Sequence, residues 1–184
     1  FTDIKGHWAE SYIEYCSDMK IISGRGDGTF DPGANVTGLE ATKMVLTAMG
    51  FDAEAYKLTG AQWAVRTDEL ARTADPKLYE DLETVMMAEN ATRDTAAQLI
   101  WNGLQNKTRK VTPSTNTSTG EVTWQYNSGD EMLTERYGAK IFKGTFVGNY
   151  YTGDTTVKGE IKVGNVSIPS DFDISNIGEE VKVI

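Results

Sequence analysis

Chemistry by side chain is sharply limited in this chain, because it holds one cysteine, Cys16, and one histidine, His7. No disulfide can close between two of its own thiols, and a zinc site built on several Cys or His ligands lacks its parts. Carboxylates are plentiful, yet none falls in a pattern that pairs a general acid with a general base. The run Asp27 to Asp31 has acidic residues near a glycine turn but lacks the alternating acids and the distal bidentate Glu of a calcium loop. Arg25-Gly26-Asp27 is an integrin-type tripeptide embedded in a turn that has its own reason for those residues. No catalytic residue, metal site or cofactor is therefore expected, and the chain reads as a non-enzyme.

Charge narrows the partners. With 18 basic and 27 acidic side chains the formal net charge is −9, and charge-driven binding to nucleic acid or anionic lipid needs clustered Lys and Arg instead. No apolar run approaches the roughly 18 residues of a membrane span, so neither nucleic acid nor a membrane span is expected.

The elements that must position any site change character near Lys110. Up to residue 107 the apolar residues fall at helical spacing. From Thr112 to Gly129 the chain is dominated by Thr, Ser, Asn and Gly with Glu121 as its one charge, which reads as a linker with hairpin character. Beyond it, "KIFKGTFVGNYY", "TTVKGEIKV" and "EEVKVI" read as strands, with Gly164-Asn165 as a two-residue hairpin turn. Between them "GDEMLTERYGAK" predicts a short helix capped by Asp130 and stopped at Gly138, whose Met132, Leu133 and Tyr137 would pack one domain on the other.

The helical half repeats. An offset of 55 residues lays Thr37 on Thr92, Ala41 on Ala96, Met44 on Leu99, Val45 on Ile100 and Met49 on Leu104. Each copy thus ends in an amphipathic core helix. Thr37 and Glu40 form a capping box, whereas the second copy has Thr95 in place of the Glu. Ahead of these, Trp8, Tyr12, Cys16 and Met19 predict one buried helix face. Trp63 to Leu70 predicts a short helix, and Asp75-Pro76 predicts the start of another with Leu78, Leu82, Val85 and Met86 inward.

Phe1, Asp3, Trp8, Ala9, Gly24, Asp27, Gly28, Phe30, Pro32, Thr37 and Glu40 occur in the order and spacing of the S-layer homology repeat, which the first fifty residues closely resemble. The second copy resembles a more divergent repeat, mainly through "ATRDTAAQLIWNGL". The resemblance implies a noncatalytic, extracellular bacterial protein of the cell wall or surface layer. Its partner would be a wall polysaccharide, of the kind often bearing pyruvate ketals, with self-association in a surface layer as a further expectation. It also implies a pseudo-threefold unit of three repeats, so the two visible ones would be the second and third, with a repeat and a secretion signal upstream. The strand-like ending "VKVI" separately predicts β structure continuing past Ile184. The expected fold is α+β: an S-layer homology repeat at 1–51, a divergent repeat at 52–107, a polar hairpin and bridging helix at 108–138, and a small β module at 139–184.

In the resembled family the residue after the helix-start Thr points to a pyruvylated sugar. That brings Arg93 and Thr92 forward as glycan-binding residues, and a helix N-terminus beside a guanidinium fork suits an anion physically. The first copy has Gly38 there. Trp8 and Asp3 are further glycan-binding candidates, Trp8 by stacking on a sugar face and Asp3 by lining the groove, although Trp8 reads first as core and Asp3 as a helix cap near His7. Asp27, Gly28, Phe30, Pro32, Thr37 and Glu40 read as structural: turn-makers, a plug under the loop, and the capping box. Two other expectations stand beside wall anchoring: a degenerate scaffold for self-assembly or protein interaction, and the anchor region of a larger secreted enzyme.

Overall fold

The computed structural model describes residues 1–82, 88–170 and 172–184, and it is a mixed helix and sheet protein of the α+β type. The chain forms two compact units, Phe1–Glu135 and Arg136–Ile184. In the first lie α1 (Glu10–Asp18), α2 (Gly38–Ala48), α3 (Trp63–Thr73), α4 (Arg93–Leu104), the hairpin β1 (Lys107–Thr115) and β2 (Val122–Glu131), and the start of α5 (Met132–Tyr137).

α2 begins where Thr37 and Glu40 complete the capping box: the Glu40 amide donates to Thr37 Oγ1 at 3.2 Å, and the Thr37 amide donates to Glu40 Oε2 at 2.8 Å. α4 keeps half of that device, the Thr95 amide donating to Thr92 Oγ1 at 3.0 Å. The two helix starts are tied together. Gly38 N–H donates to the Glu89 carbonyl at 2.9 Å and Ala91 N–H to the Val36 carbonyl at 2.7 Å, a short antiparallel bridge. Farther along, α2 meets α4 where Gly103 has no side chain; a Cβ there would lie 2.5 Å from Val45 Cγ1. Leu46, Met49, Leu58, Ala71, Leu78 and Leu99 form the buried core between α2, α3 and α4, and Met132 of α5 joins it.

Two expectations about helices are corrected. In α1 the inward residue is Ile13, with Ala9, Cys16 and Ser17 half-buried, whereas Trp8, Tyr12 and Tyr15 are 82%, 67% and 64% exposed. The segment holds two overlapping stripes one residue apart, and the one with small flanking side chains allows the closer approach, so the aromatic stripe faces outward. After α3, residues 76–82 form turns where Asp75-Pro76 predicts a helix. Their carbonyls are satisfied from α4 and the residue pair after it instead: Asn102 Nδ2 donates to Leu78 O and Glu80 O at 2.9 and 2.8 Å, and Asn106 Nδ2, just past the helix, donates to Pro76 O at 2.8 Å. Side-chain amides on and just after a neighbouring helix thereby replace the bonds an α-helix would have made. Val85 and Met86 lie outside the described residues.

The polar stretch after Lys107 is a two-stranded antiparallel hairpin, Thr112 facing Gln125 and Pro113 facing Trp124, with a register shift at its base between Lys107 and Arg109. Its base is fastened to the helices. Arg109 N–H donates to the Met49 carbonyl at 2.7 Å, its guanidinium lies 5.4 Å from the Phe51 ring, and Tyr126 Oη donates to the Ala55 carbonyl at 3.0 Å. β2 runs through Asp130 to Glu131, so Asp130 ends a strand and does not cap α5; Gly138, at φ 67°, follows the helix as its stop.

The second unit is a four-stranded antiparallel sheet of β3 (Phe142–Asn149), β4 (Glu160–Val163), β5 (Val166–Pro169) and β6 (Glu180–Val183) in the order β5-β4-β3-β6. β4 and β5 are joined by the Gly164-Asn165 turn, with Gly164 at φ 55°. Phe146, Ile161, Val163 and Ile168 are its buried core. No helix among the described residues is long and apolar enough to cross a membrane.

Candidate functional site

The Gly-rich loop that follows α1 is held in one shape by side-chain carboxylates. Asp27 Oδ1 accepts from the Thr29 hydroxyl at 2.6 Å and the Thr29 amide at 3.0 Å, flanked by Gly26 and Gly28, both at φ 91°. The Thr29 hydroxyl is the chief reason the Asp27 carboxyl titrates below its ordinary range. Asp3 grips the other limb of the loop, accepting from the Phe30 amide at 2.9 Å and the Asp31 amide at 2.6 Å. The Phe30 amide is the main cause of its lowered pKa. Asp3 therefore caps the loop and not helix α1, whose opening is served by His7 Nδ1, an acceptor for the Ala9 amide at 3.2 Å. Phe30 stacks on Phe1 with ring centroids 5.4 Å apart.

This fixed loop forms one wall of a cleft of about 480 Å³. α2 supplies Glu40, Lys43 and Met44, the segment before α3 supplies Thr59 and Gly60, and α3 opens with Trp63; Arg25, Asp31 and Pro32 come from the loop. Lys43 Nζ sits 5.6 Å from the Trp63 ring centroid. Burial strips water from this ammonium and lowers its pKa, with Glu40 opposing the shift. Arg25 is paired with Asp31 at 3.1 Å on the open side. An aromatic face, a partly dehydrated cation and the hydroxyls of Ser23 and Thr59 around an open cleft suit a polar, ring-shaped ligand better than an apolar one.

The four sequence-predicted ligand residues do not meet in this cleft. Thr92 and Arg93 belong to a second, mostly apolar cavity of about 470 Å³ between α2 and α4, lined also by Val36, Met44, Val45 and Leu99. Arg93 is exposed at the first turn of α4 and makes no ion pair among the described residues. Trp8 lies exposed just ahead of α1 beside His7, ring centroids 5.6 Å apart. Asp3 is occupied by the loop. Pro32 lines the cleft with Phe30, while Thr37 and Glu40 bond one another at the α2 start, so Glu40's carboxylate already fills the place an anion would take there. Lys43 and Trp63 were missed by sequence reasoning. The signal for Trp63 was present, since the 55-residue offset lays Trp8-Ala9 on Trp63-Ala64.

Among the described residues no three His, Cys, Asp or Glu side chains gather as a metal site.

The family described as S-layer homology domain matches residues 1–42. Residues 1–42 are an S-layer homology domain. Over 56 residues, 30% of this chain, the sequence is 38% identical to the exoglucanase XynX of Acetivibrio thermocellus and 36% identical to an amylopullulanase of Thermoanaerobacterium thermosulfurigenes. The matched stretch covers 5% and 3% of those proteins. No solved structure matches the chain. The S-layer homology domain is a noncatalytic module of cell-wall anchoring, which associates the chain with a cell surface. In this structure the domain comprises α1, the carboxylate-pinned loop and the first turns of α2, so the loop wall of the cleft and Glu40 belong to it, whereas Lys43 and Trp63 lie just beyond.

Proposed function

We propose that the chain anchors a bacterial surface protein to an acidic cell-wall polysaccharide, and that the cleft between the loop, α2 and Trp63 holds the sugar. The observation that carries this reading is the pairing of Lys43 with the Trp63 face in a cleft walled by the S-layer homology domain. A pyranose ring stacks on an indole through its C–H face, and a pyruvate ketal would bring a carboxylate to the dehydrated ammonium. Arg93 and Thr92 form a second contact point for the same polymer, because α4 has Thr95 at the position from which Glu40 folds back over the α2 start, its first-turn carboxylate being Asp94.

On this reading residues 52–107 are a second, divergent repeat. The equivalence of Trp8 with Trp63, of Thr37 with Thr92, and the bridge joining the two helix starts support it. The hairpin with its helix (108–138) and the β module (139–184) are then cargo or spacer outside the anchor, and the whole protein stands in the wall or surface layer. The names of the two relatives favour a second reading, in which the chain is the anchor region of a larger secreted enzyme.

Retention on purified wall sacculi tests the proposal. Truncating an aromatic anchor costs about 2 kcal/mol, so Trp63→Ala should weaken retention by about thirtyfold. Lys43→Met and Arg93→Ala should each weaken it less, and the Lys43 effect should vanish on walls stripped of their acidic substituents. Unchanged retention of a folded Trp63→Ala protein would leave the degenerate-scaffold reading in possession.

A further inference from the structure

The β1–β2 hairpin has two edges, and only one is closed. Backbone groups of alternate residues point away from the partner strand, and the Arg109 amide, bonded to the Met49 carbonyl at 2.7 Å, shows which set does so. By that parity Val111 and Pro113 also face outward on β1, and Trp124, Tyr126 and Ser128 on β2. The β1 edge is blocked by the Met49 contact at one end and at the other by Pro113, which has no N–H to offer. On β2 the amides of Trp124, Tyr126 and Ser128 point away from β1 by that parity and bond no other element among the described residues.

The open edge also lacks the usual protections. Proteins blunt exposed edges with charge, proline or brevity. β5 is four residues long and carries Pro169, and β6 is four residues long and carries Glu180 and Lys182. β2 is ten residues long, and from Val122 to Gly129 it bears no charge and no proline. Although the chain carries a net charge of −9, within this stretch a second copy can pair without setting like charges opposite one another.

We propose that β2 pairs antiparallel with β2 of a second copy about a two-fold axis through Gln125, giving a four-stranded sheet. This register sets Trp124 opposite the other copy's Tyr126 twice, Val122 opposite Ser128, and Thr123 opposite Asn127. Every outward amide then finds a carbonyl, and aromatic pairs cross the new seam. The contact uses one patch on both copies and closes on itself, so it yields a dimer and not a fibre. It leaves the ladder to β1 and the Tyr126 Oη bond to Ala55 in place.

Sedimentation velocity of the whole chain is the test. The mass should rise from 20.2 kDa to twice that value as the concentration is raised from the micromolar to the millimolar range. Gln125→Lys places two like charges face to face on the axis and should abolish the dimer, as should Gln125→Glu. Mixing those two variants should restore it as a heterodimer, which a merely unfolded variant could not do. In a Cys16→Ser background, Gln125→Cys should form an intermolecular disulfide on mild oxidation, since facing Cα atoms in such a pair lie about 4.5 Å apart. A chain that stays monomeric throughout, or a dimer indifferent to Gln125→Lys, overturns the proposal. So does capture of an uncharged extended peptide by a monomer that never self-associates, which would give the edge to a foreign strand.

Discussion

The carboxylate of Glu135 fastens α5 to the hairpin base: it accepts from Thr108 Oγ1 at 2.5 Å, from the Asp130 amide at 2.9 Å, and pairs with Lys110 at 2.9 Å. Gly129 makes room for this, since a Cβ there would collide with Thr108 Oγ1 and the carboxylate. Lys110 is the leading cause, ahead of Thr108, of a Glu135 pKa lowered from 4.5 to about 2. A carboxyl with a depressed folded-state pKa contributes stability that is complete above its unfolded value and is lost as pH falls through the folded value. The advantage of wild type over Glu135→Gln should therefore be constant above about pH 5, decline through the range from 4.5 towards 2, and vanish below it. Urea unfolding of both proteins across that range measures it, and an advantage that ignores pH would remove the charged carboxylate as the cause.

At the scale of elements, the contact that sets the first unit is α2 against α4. Gly103 lies where a Cβ would be 2.5 Å from Val45 Cγ1, and Val45 packs against the core. Gly103→Ala brings a helix-propensity gain of about 1 kcal/mol against an overpacking cost of about 1–3 kcal/mol. Net destabilisation is expected, because the colliding atom belongs to a β-branched side chain held in place. Trimming it restores room, so Gly103→Ala combined with Val45→Ala should be more stable than the sum of the single changes predicts, and strict additivity in denaturant midpoints would refute the close contact. This same contact explains what the sequence displayed and what it concealed. Of the α2 and α4 positions matched at offset 55, Leu99 and Met49 are in the core and Val45 and Leu104 lie against it, whereas Ile100, matched to Val45, is 54% exposed; Thr37 and Thr92 cap their helices as read. The face of α1 was concealed because two apolar stripes overlap there, and hydrophobic spacing does not say which one meets the core. The turns at 76–82 were concealed because the groups that satisfy them, Asn102 on α4 and Asn106 just after it, lie more than twenty residues away. The cleft was hidden for a related reason: Lys43 looks like a solvated helix cation until the fold brings Trp63 over it.

At the scale of the whole molecule, the two units differ in what holds them. The first has a core drawn from α2, α3 and α4, the turns between them, and α5. The second spans residues 136–184 and has Phe146, Ile161, Val163 and Ile168 as its buried centre. The fraction of surface buried on folding shrinks as domains get smaller, and chains of about 50 residues sit near the lower limit of independent stability. The second unit should therefore unfold first, at lower denaturant and with a shallower slope, since the slope follows the surface exposed. The sequence provides a selective probe. All four tryptophans, Trp8, Trp63, Trp101 and Trp124, lie in the first unit, so tryptophan fluorescence is blind to the second, whereas far-ultraviolet circular dichroism sees both. The dichroism transition should begin before the fluorescence transition and show two steps, the later one coinciding with fluorescence. Phe146→Ala, which removes the fully buried ring of the second core, should cost about 3–5 kcal/mol and abolish the early step while leaving the fluorescence midpoint unmoved. Coincident transitions in the wild type, or a fluorescence midpoint that shifts with Phe146→Ala, would mean that the units unfold as one and that the second does not stand by its own core.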